Sequence, residues 1–496
     1  MIKLKKYFPI FLLAGIVFLF FLPILTTSSI WGFRDFHRYV YPMRYFGREC
    51  VLSGYIPFWN PYVGCGMPYF AGLQGMAFYP PSILVYLLPY EIGLKAFIVF
   101  HFFVSCISTY LLALELGLGK PSSFVTSLVY GFSGWLISSI DIPIILCASA
   151  WIPLILLFLL KSRPILAGVF LSFQILSGEP SMYYLTSVFI LLFGFFIRKP
   201  IFPILSILIS LAISLFQLIP FLEFLSYSTR MKQLYAEGIQ WAFSPYEVLR
   251  FILPSSCGAI VRGEEEPAVF FGQMWLKSPY IGIIPTLLTI IVIIWPRKNK
   301  YCLFFSYLGL VFLILSFGNH TPLYKLVYKY FPLFSLMRYP VKCLLITSLC
   351  LSILSGFGME HILSLKKNPI RLFVFLGLLI IFLFTLAFIE ESKIISLFPI
   401  PAHSFLKWWP DVLTDGFLII AFIVFAIIIL LLYKFSIITE RAFILGFIGA
   451  IIIDLFFFGS NLCPLVDRYV YDKSETIMFL EECGDYFRIM QTPKTS

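Results

Sequence analysis

Charge is what this sequence has least of. Only 12% of its 496 residues are Asp, Glu, Lys or Arg, about half the share of a soluble globular chain. The net charge of +11 does not point to nucleic acid, because no soluble domain exists to carry a basic stripe interleaved with stacking aromatics. Several catalytic signatures are also missing. No G-x-x-x-x-G-K-[ST] string occurs: Leu118-Gly119-Lys120 lacks the upstream glycine and runs into Pro121, so no P-loop cradles nucleotide phosphates. Neither H-E-x-x-H nor G-x-S-x-G is present. The 10 cysteines include no Cys-x-x-Cys pair, which disfavours metal clusters and thioredoxin chemistry. Energy for any reaction therefore arrives with the substrate or from a gradient.

What the chain has instead is apolar length. Sixty per cent of it is hydrophobic, with a mean hydropathy of +0.95. Runs of roughly 18 or more apolar residues recur, the mark of spanning helices. They are continuous rather than alternating, which excludes a barrel. Window lengths predict about thirteen spans, at 8–27, 92–116, 122–140, 143–160, 164–178, 182–197, 201–224, 279–296, 301–317, 341–361, 371–389, 414–433 and 442–459. The run at 164–178 is short, which suits a tilted or broken helix. The fold expected is an all-α polytopic membrane protein. One membrane domain covers 1–460, and a short outer tail covers 461–496.

The gaps between runs alternate in kind. One set is short and basic, such as Arg198-Lys199 and Arg297-Lys298, as cytoplasmic turns are. The other set is longer and mixes both signs. This alternation predicts a cytoplasmic N-terminus and long outer segments at 28–91, 225–278, 318–340 and 390–413. The first run, after Lys3 to Lys6, is too long for a signal peptide's apolar core and lacks a small-x-small cleavage site, so it reads as an uncleaved span. Ser244-Pro245-Tyr246-Glu247 reads as a helix start, and Trp408 with Trp409 as an interfacial belt. Cys106, Cys147 and Cys350 fall within spans as packing residues. Cys50 with Cys65, and Cys463 with Cys483, are placed either to pair outside the membrane or to stay free. No internal repeat supports an inverted-repeat transporter.

The residues able to do chemistry sit at span ends. Asp35 follows the first span, flanked by Arg34, His37 and Arg38. It is either an interfacial acid paired with an arginine or a general base held within about 3 Å of an acceptor hydroxyl. Glu179, in Ser177-Gly178-Glu179-Pro180, is either a loop acid or a functional boundary carboxylate. Asp141 and Glu223 are weaker candidates of the same kind. Arg230, Arg338 and Lys342 are outer cations that suit an anionic phosphate or, equally, lipid headgroups. Arg338 precedes a span whose N-terminal end adds partial positive charge. Trp59, in the string Pro57 to Pro61, suits stacking on a sugar face or anchoring the loop.

Strings spread over nearly the whole chain carry a resemblance. They are Leu52-Ser53-Gly54, Pro57 to Pro61, Gly66-Met67-Pro68 with Ala71 and Gln74, Gly178-Glu179-Pro180, and Gln217 to Pro220 with Glu223. Further along come Ser228 with Arg230, Glu247 to Pro254, Tyr280-Ile281-Gly282, Phe317 to Tyr324, Arg338 to Lys342, and Asp454-Leu455. In order and spacing the chain resembles the YfhO-type bacterial membrane proteins, placed in the GT-C superfamily of membrane glycosyltransferases. That family commonly has His where Glu179 stands. Its members often continue into an outer soluble domain beyond the position where this sequence ends.

The resemblance implies a GT-C-like bundle with long extracytoplasmic loops in a bacterial cytoplasmic membrane. It implies transfer of a sugar from a polyprenyl-phosphate-linked donor to an envelope glycan, glycolipid or protein on the outer face. Asp35 matches the family's proposed base, with Glu179 as a second catalytic candidate. Arg34, His37, Arg38, Trp59, Gln74, Glu223, Arg230, Arg338 and Lys342 are the expected substrate-binding residues. No metal ligand is identified and no cofactor is required, although a divalent metal remains compatible. The rival readings are a lipid or polysaccharide transporter and a non-catalytic scaffold of envelope assembly.

Overall fold

A computed structural model describes residues 2–32, 35–229, 235–257, 275–295, 299–364, 367–389, 402–462, 464–468, 478–479 and 482. The chain enters through α1 (Ile2–Leu25), then builds its first long segment from α2 (Tyr41–Leu52) and the short α3 (Ile83–Leu87). Next come α4 (Tyr90–Glu115), α5 (Lys120–Gly131), α6 (Gly134–Ser138), α7 (Pro143–Leu160), α8 (Pro164–Leu176), α9 (Pro180–Phe196) and α10 (Ile201–Ser226). The second half contains α11 (Tyr235–Gly238), α12 (Ile283–Ile294), α13 (Lys300–Ser316), α14 (Pro322–Tyr330), α15 (Leu344–Leu363) and α16 (Lys367–Ile389). It closes with α17 (Ala402–Lys434) and α18 (Glu440–Ser460).

Eight stretches among the described residues are long and apolar enough to cross a membrane, and five more apolar helices have 10–17 residues. Each of the thirteen expected spans falls on one of these. At about 1.5 Å per residue, α8, α9, α12 and α13 are shorter than the roughly 30 Å hydrocarbon thickness, whereas α16, with 23 residues, is not. The stretches at Lys120–Asp141 and Pro340–Leu363 are almost wholly buried, whereas α1 and α10 are mostly exposed. The former therefore form the centre of the bundle, and the latter present apolar side chains outward. Around the centre α4 packs on α5 and α7, and α15 packs on α5, α12 and α13.

The run expected as one span at 122–140 is broken. Helix α5 stops at Gly131, Ser133 caps α6 through the Leu136 amide, and a 3-10 turn ends at Asp141. The cause is a neighbouring chain segment. The Gly134 amide donates to the Tyr280 carbonyl (2.7 Å), and a Cβ on Gly134 would lie 2.6 Å from the Ser278 carbonyl oxygen. Backbone at this depth is tolerated only where protein satisfies it.

Three local expectations change. Pro245–Phe251 is a 3-10 helix; it starts where the sequence suggests, and the structure shows a capping box between Ser244 and Glu247 there. The segment expected as outer loop at 390–413 is helical from Ala402, and Trp409 is only 8% exposed. It therefore packs inward rather than at a lipid interface; residues 390–401 lie outside the described set. Cys50 and Cys65 are both free, while Cys463 and Cys483 are not described. Burial, then Glu49, pushes the Cys50 thiol up. Two small antiparallel ladders complete the fold. In one, β1 (Ile30–Trp31) pairs with β4 (Leu465–Val466), and in the other β2 (Trp59–Asn60) pairs with β3 (Met67–Pro68). The start of the tail thus returns to the first long segment.

Long-range side chains satisfy several helix ends. Lys95 donates to the Ile24 and Thr27 carbonyls (both 2.8 Å) at the end of α1. Glu360 accepts from the Gly119 amide and the Ser122 hydroxyl at the start of α5. Asp454 accepts from the Tyr280 hydroxyl and from the Ile283 amide that opens α12 (both 2.8 Å). Replacing Asp454 by Ala strands two buried donors, each worth about 1–3 kcal/mol when unmet. Asp454→Ala is expected to lower the thermal midpoint in detergent markedly, and Asp454→Asn less so; unaltered melting of the Ala variant would show that these bonds hold nothing.

Candidate functional site

The first long segment is locked before it offers any group to a substrate. Arg44, 2% exposed, donates to the Gly75 carbonyl (3.0 Å) and the Ser82 hydroxyl (3.1 Å), with its guanidinium 4.9 Å from the Phe97 ring centre. The Tyr69 hydroxyl donates to the Met43 and Gly75 carbonyls (both 3.1 Å). Between these anchors Leu73 and Met76 adopt left-handed φ values of 62° and 52°. Such conformations are strained for residues with a Cβ and persist where surroundings over-determine them.

Asp35 opens a π-helical turn, Phe36–Val40, that leads into α2. Its side chain is exposed, and among the described residues it has no hydrogen-bond or ion-pair partner. His37 is half-buried; burial, then the Arg38 charge, lowers its pKa from 6.5. Arg38 is exposed. One turn on, the Tyr39 hydroxyl donates to Gln74 Oε1 (2.8 Å). Arg34 and Arg230 lie outside the described residues.

The locked loop then meets the turn between α8 and α9. Gly178 has φ +94°, and a Cβ there would stand 2.8 Å from the Leu73 carbonyl oxygen and 3.1 Å from Gln74 Cα. Only glycine allows both this backbone and this approach. The turn delivers Glu179 to Lys342, at 2.8 Å, with both side chains about nine-tenths buried. Lys342 also donates to the Ser181 hydroxyl (2.7 Å), which in turn donates to Glu179. The Lys342 ammonium stands 5.9 Å from the Trp275 ring centre and 5.6 Å from that of Tyr339. Gln74, Glu179 and Lys342, three separate expectations, are thus brought together.

Trp275 is held in turn by the broken span. Its ring lies 5.6 Å from that of Trp135, the Ser278 amide donates to the Ser138 hydroxyl, and Lys277 is ion-paired with Asp141. The Lys277 ammonium also donates to the Leu462 carbonyl (2.6 Å), and its own carbonyl accepts from Arg250. Arg250 is paired with Glu247 at 3.1 Å, both fully buried. Sequence reasoning ranked Asp141 low and missed Lys277, Glu247, Arg250 and Trp275 as members of one network. The signal was there as charges inside or beside apolar runs.

The other expected binders stand apart. Arg338 pairs with Glu237 at 2.9 Å on a more exposed flank. Trp59, 54% exposed, lies across Gly66, where a Cβ would sit 2.6 Å from its ring. Glu223 is exposed on the last turns of α10. A cavity of about 220 Å³ lies between the locked loop and the end of α10, lined by Tyr39, Tyr69, Gln74, Phe221, Phe224 and Ser228 among others. Neither Trp59 nor Glu223 lines it. Its volume is below the roughly 300–1,000 Å³ of drug-sized sites. Among the described residues, no group of three or more His, Cys, Asp or Glu is arranged to hold a metal ion.

No family model matches the chain, and no curated protein matches it in sequence. Among solved structures it is similar to ArnT from Cupriavidus metallidurans bound to undecaprenyl phosphate, at 11% identity and a TM-score of 0.48, over 91% of this chain and 77% of that one.

The Glu179–Lys342 pair makes a stability prediction. Removing one member of a buried pair leaves the other charge uncompensated, which costs about 3–5 kcal/mol, whereas removing both costs far less. Lys342→Met is therefore expected to melt well below the parent protein, and Lys342→Met with Glu179→Gln to recover most of the loss. Additive losses in a melting series would show that the pair is not coupled.

Proposed function

We propose that this chain is a membrane glycosyltransferase of the GT-C type, related to the YfhO-type proteins it resembles. In this reading it moves a sugar from a polyprenyl-phosphate-linked donor to an envelope acceptor on the outer face of a bacterial cytoplasmic membrane. The observation that carries the reading is the Lys342 ammonium, held by Glu179 beneath two aromatic rings and joined through Gly178 to the loop that bears Asp35.

The chemistry follows from these positions. The acceptor hydroxyl oxygen attacks the anomeric carbon, the bond from that carbon to the phosphate oxygen breaks, and the electron pair leaves with the polyprenyl phosphate. Asp35 accepts the hydroxyl proton; its exposure and lack of a described partner leave it available. A single displacement inverts the anomeric centre. Lys342 stabilises the negative charge on the leaving phosphate, the electrostatic contribution that usually dominates such steps. Glu179 holds Lys342 in place until the phosphate competes for it. Arg338 suits an approach role at the rim, and the aromatic cavity beside Gln74 suits the sugar ring. No step calls on a metal; activity lost to a chelator and restored by Mg²⁺ or Mn²⁺ would add one.

A transporter reading has one observation in its favour. A broken apolar span bearing a buried Asp141–Lys277 pair is the sort of element transporters use at their binding sites. The two readings separate cleanly in cells. With Asp35→Asn at parental protein level, a defined sugar is expected to vanish from one envelope polymer while its polyprenyl-linked donor accumulates, both read by mass spectrometry. An unchanged glycan profile would remove Asp35 as the base and favour transport.

A further inference from the structure

Helix α14 turns an unusual face outward. Its inner side is packed: Tyr324 is buried against Phe334, and the Tyr328 ring lies 4.7 Å from that of Tyr235. Its outer side carries Lys325, Leu326, Lys329 and Tyr330, all exposed. Leu326 is 55% exposed and Tyr330 70%, and Lys329 lies 5.0 Å from the Tyr330 ring centre. The chain then continues through Phe331, Leu333 and Leu336, again exposed, with Leu333 at 65%. The segment is fixed rather than loose, because the Tyr184 hydroxyl of α9 donates to the Pro332 carbonyl (2.6 Å).

Five large apolar side chains on one short segment are more than a water-facing surface ordinarily shows. A basic fringe beside them is the composition of a helix lying in the headgroup layer of a membrane. The location agrees. Apolar helix α13 ends at Ser316, and α14 begins at Pro322. We propose that residues 322–336 dock onto the bilayer leaflet on the side of the first long segment. Leu326, Tyr330, Phe331, Leu333 and Leu336 enter the upper acyl region, and Lys325 and Lys329 bind the phosphates of an anionic glycerophospholipid. The segment runs directly into Arg338 and Lys342, so docking sets those cations near the plane of the lipid phosphates. This inference stands whether or not the chain transfers a sugar.

The test measures depth and lipid choice, not activity. The full chain, with Cys50, Cys65, Cys463 and Cys483 each changed to Ser, carries a nitroxide at Leu326→Cys or, separately, at Leu333→Cys. It is placed in nanodiscs of mixed phosphatidylcholine and phosphatidylglycerol. Both labels are expected to relax faster with oxygen than with a water-soluble nickel chelate. In parallel, Lys325→Gln with Lys329→Gln is expected to reduce phosphatidylglycerol retained on the protein, relative to phosphatidylcholine, by on the order of tenfold in native mass spectrometry. Preferential nickel relaxation at both positions would overturn the docking and leave the face open to a soluble protein. Unchanged lipid retention in the double variant would overturn the role of the lysines.

Discussion

A buried helix end leaves amide and carbonyl groups that nothing but the protein can satisfy, and in a bilayer that requirement is severe. This bundle answers it with side chains brought from far along the chain. Lys95 closes α1, Glu360 opens α5, and Asp454 opens α12. Asp415 likewise accepts from the Ser255 amide. Each of these is a polar or ionisable group that hydropathy alone would place in water. Lys95 and Asp454 are buried where a helix terminus is there to be met, so they fix which helices are neighbours as well as how stable each one is.

The same constraint explains the site. A continuous span at 120–141 would need no partner, but the break at Gly131 to Gly134 exposes backbone that residues 278–280 cover. That covering segment carries Lys277 to Asp141 and Trp275 to Lys342. A buried ion pair is weak evidence for stability, because desolvation offsets its attraction. What it does supply is registry: Lys277 has one place to go, and Trp275 goes with it. The first long segment is treated alike. Arg44 and Tyr69 both bind the Gly75 carbonyl, and the strained loop they hold is what Gly178 presses against. A rigid scaffold of this kind suits a group that must meet a reacting atom to within a fraction of an ångström.

Much of the bundle was legible in the sequence, since hydropathy is a local property and apolar length fixes span positions nearly by itself. The all-helical architecture came through on that basis. What was illegible depends on partners distant in the chain. Glu179 and Lys342 are 163 residues apart, so they read as two separate candidates, an acid and a cation, instead of one pair. The break before Trp135 looked like uninterrupted apolar sequence because its cause lies at Ser278 and Tyr280. Trp408 and Trp409 read as an interfacial belt from composition, yet the helix already begins at Ala402 and Trp409 turns inward.

Pairing Glu179 with Lys342 also changes what each can do. A buried charged group is tolerated where it is paired and hydrogen-bonded, and here each of the two supplies the other's partner beside the rings of Trp275 and Tyr339. In the proposed reaction an entering phosphate replaces one anionic partner of the Lys342 ammonium with another. Glu179 is then ill placed to act as a base, since its negative charge is already committed. In the proposed reaction Asp35, exposed and with no partner among the described residues, is the carboxylate that takes the proton. The two acids that the sequence offered as first and second candidates are divided by their surroundings into one that holds a cation and one that faces solvent.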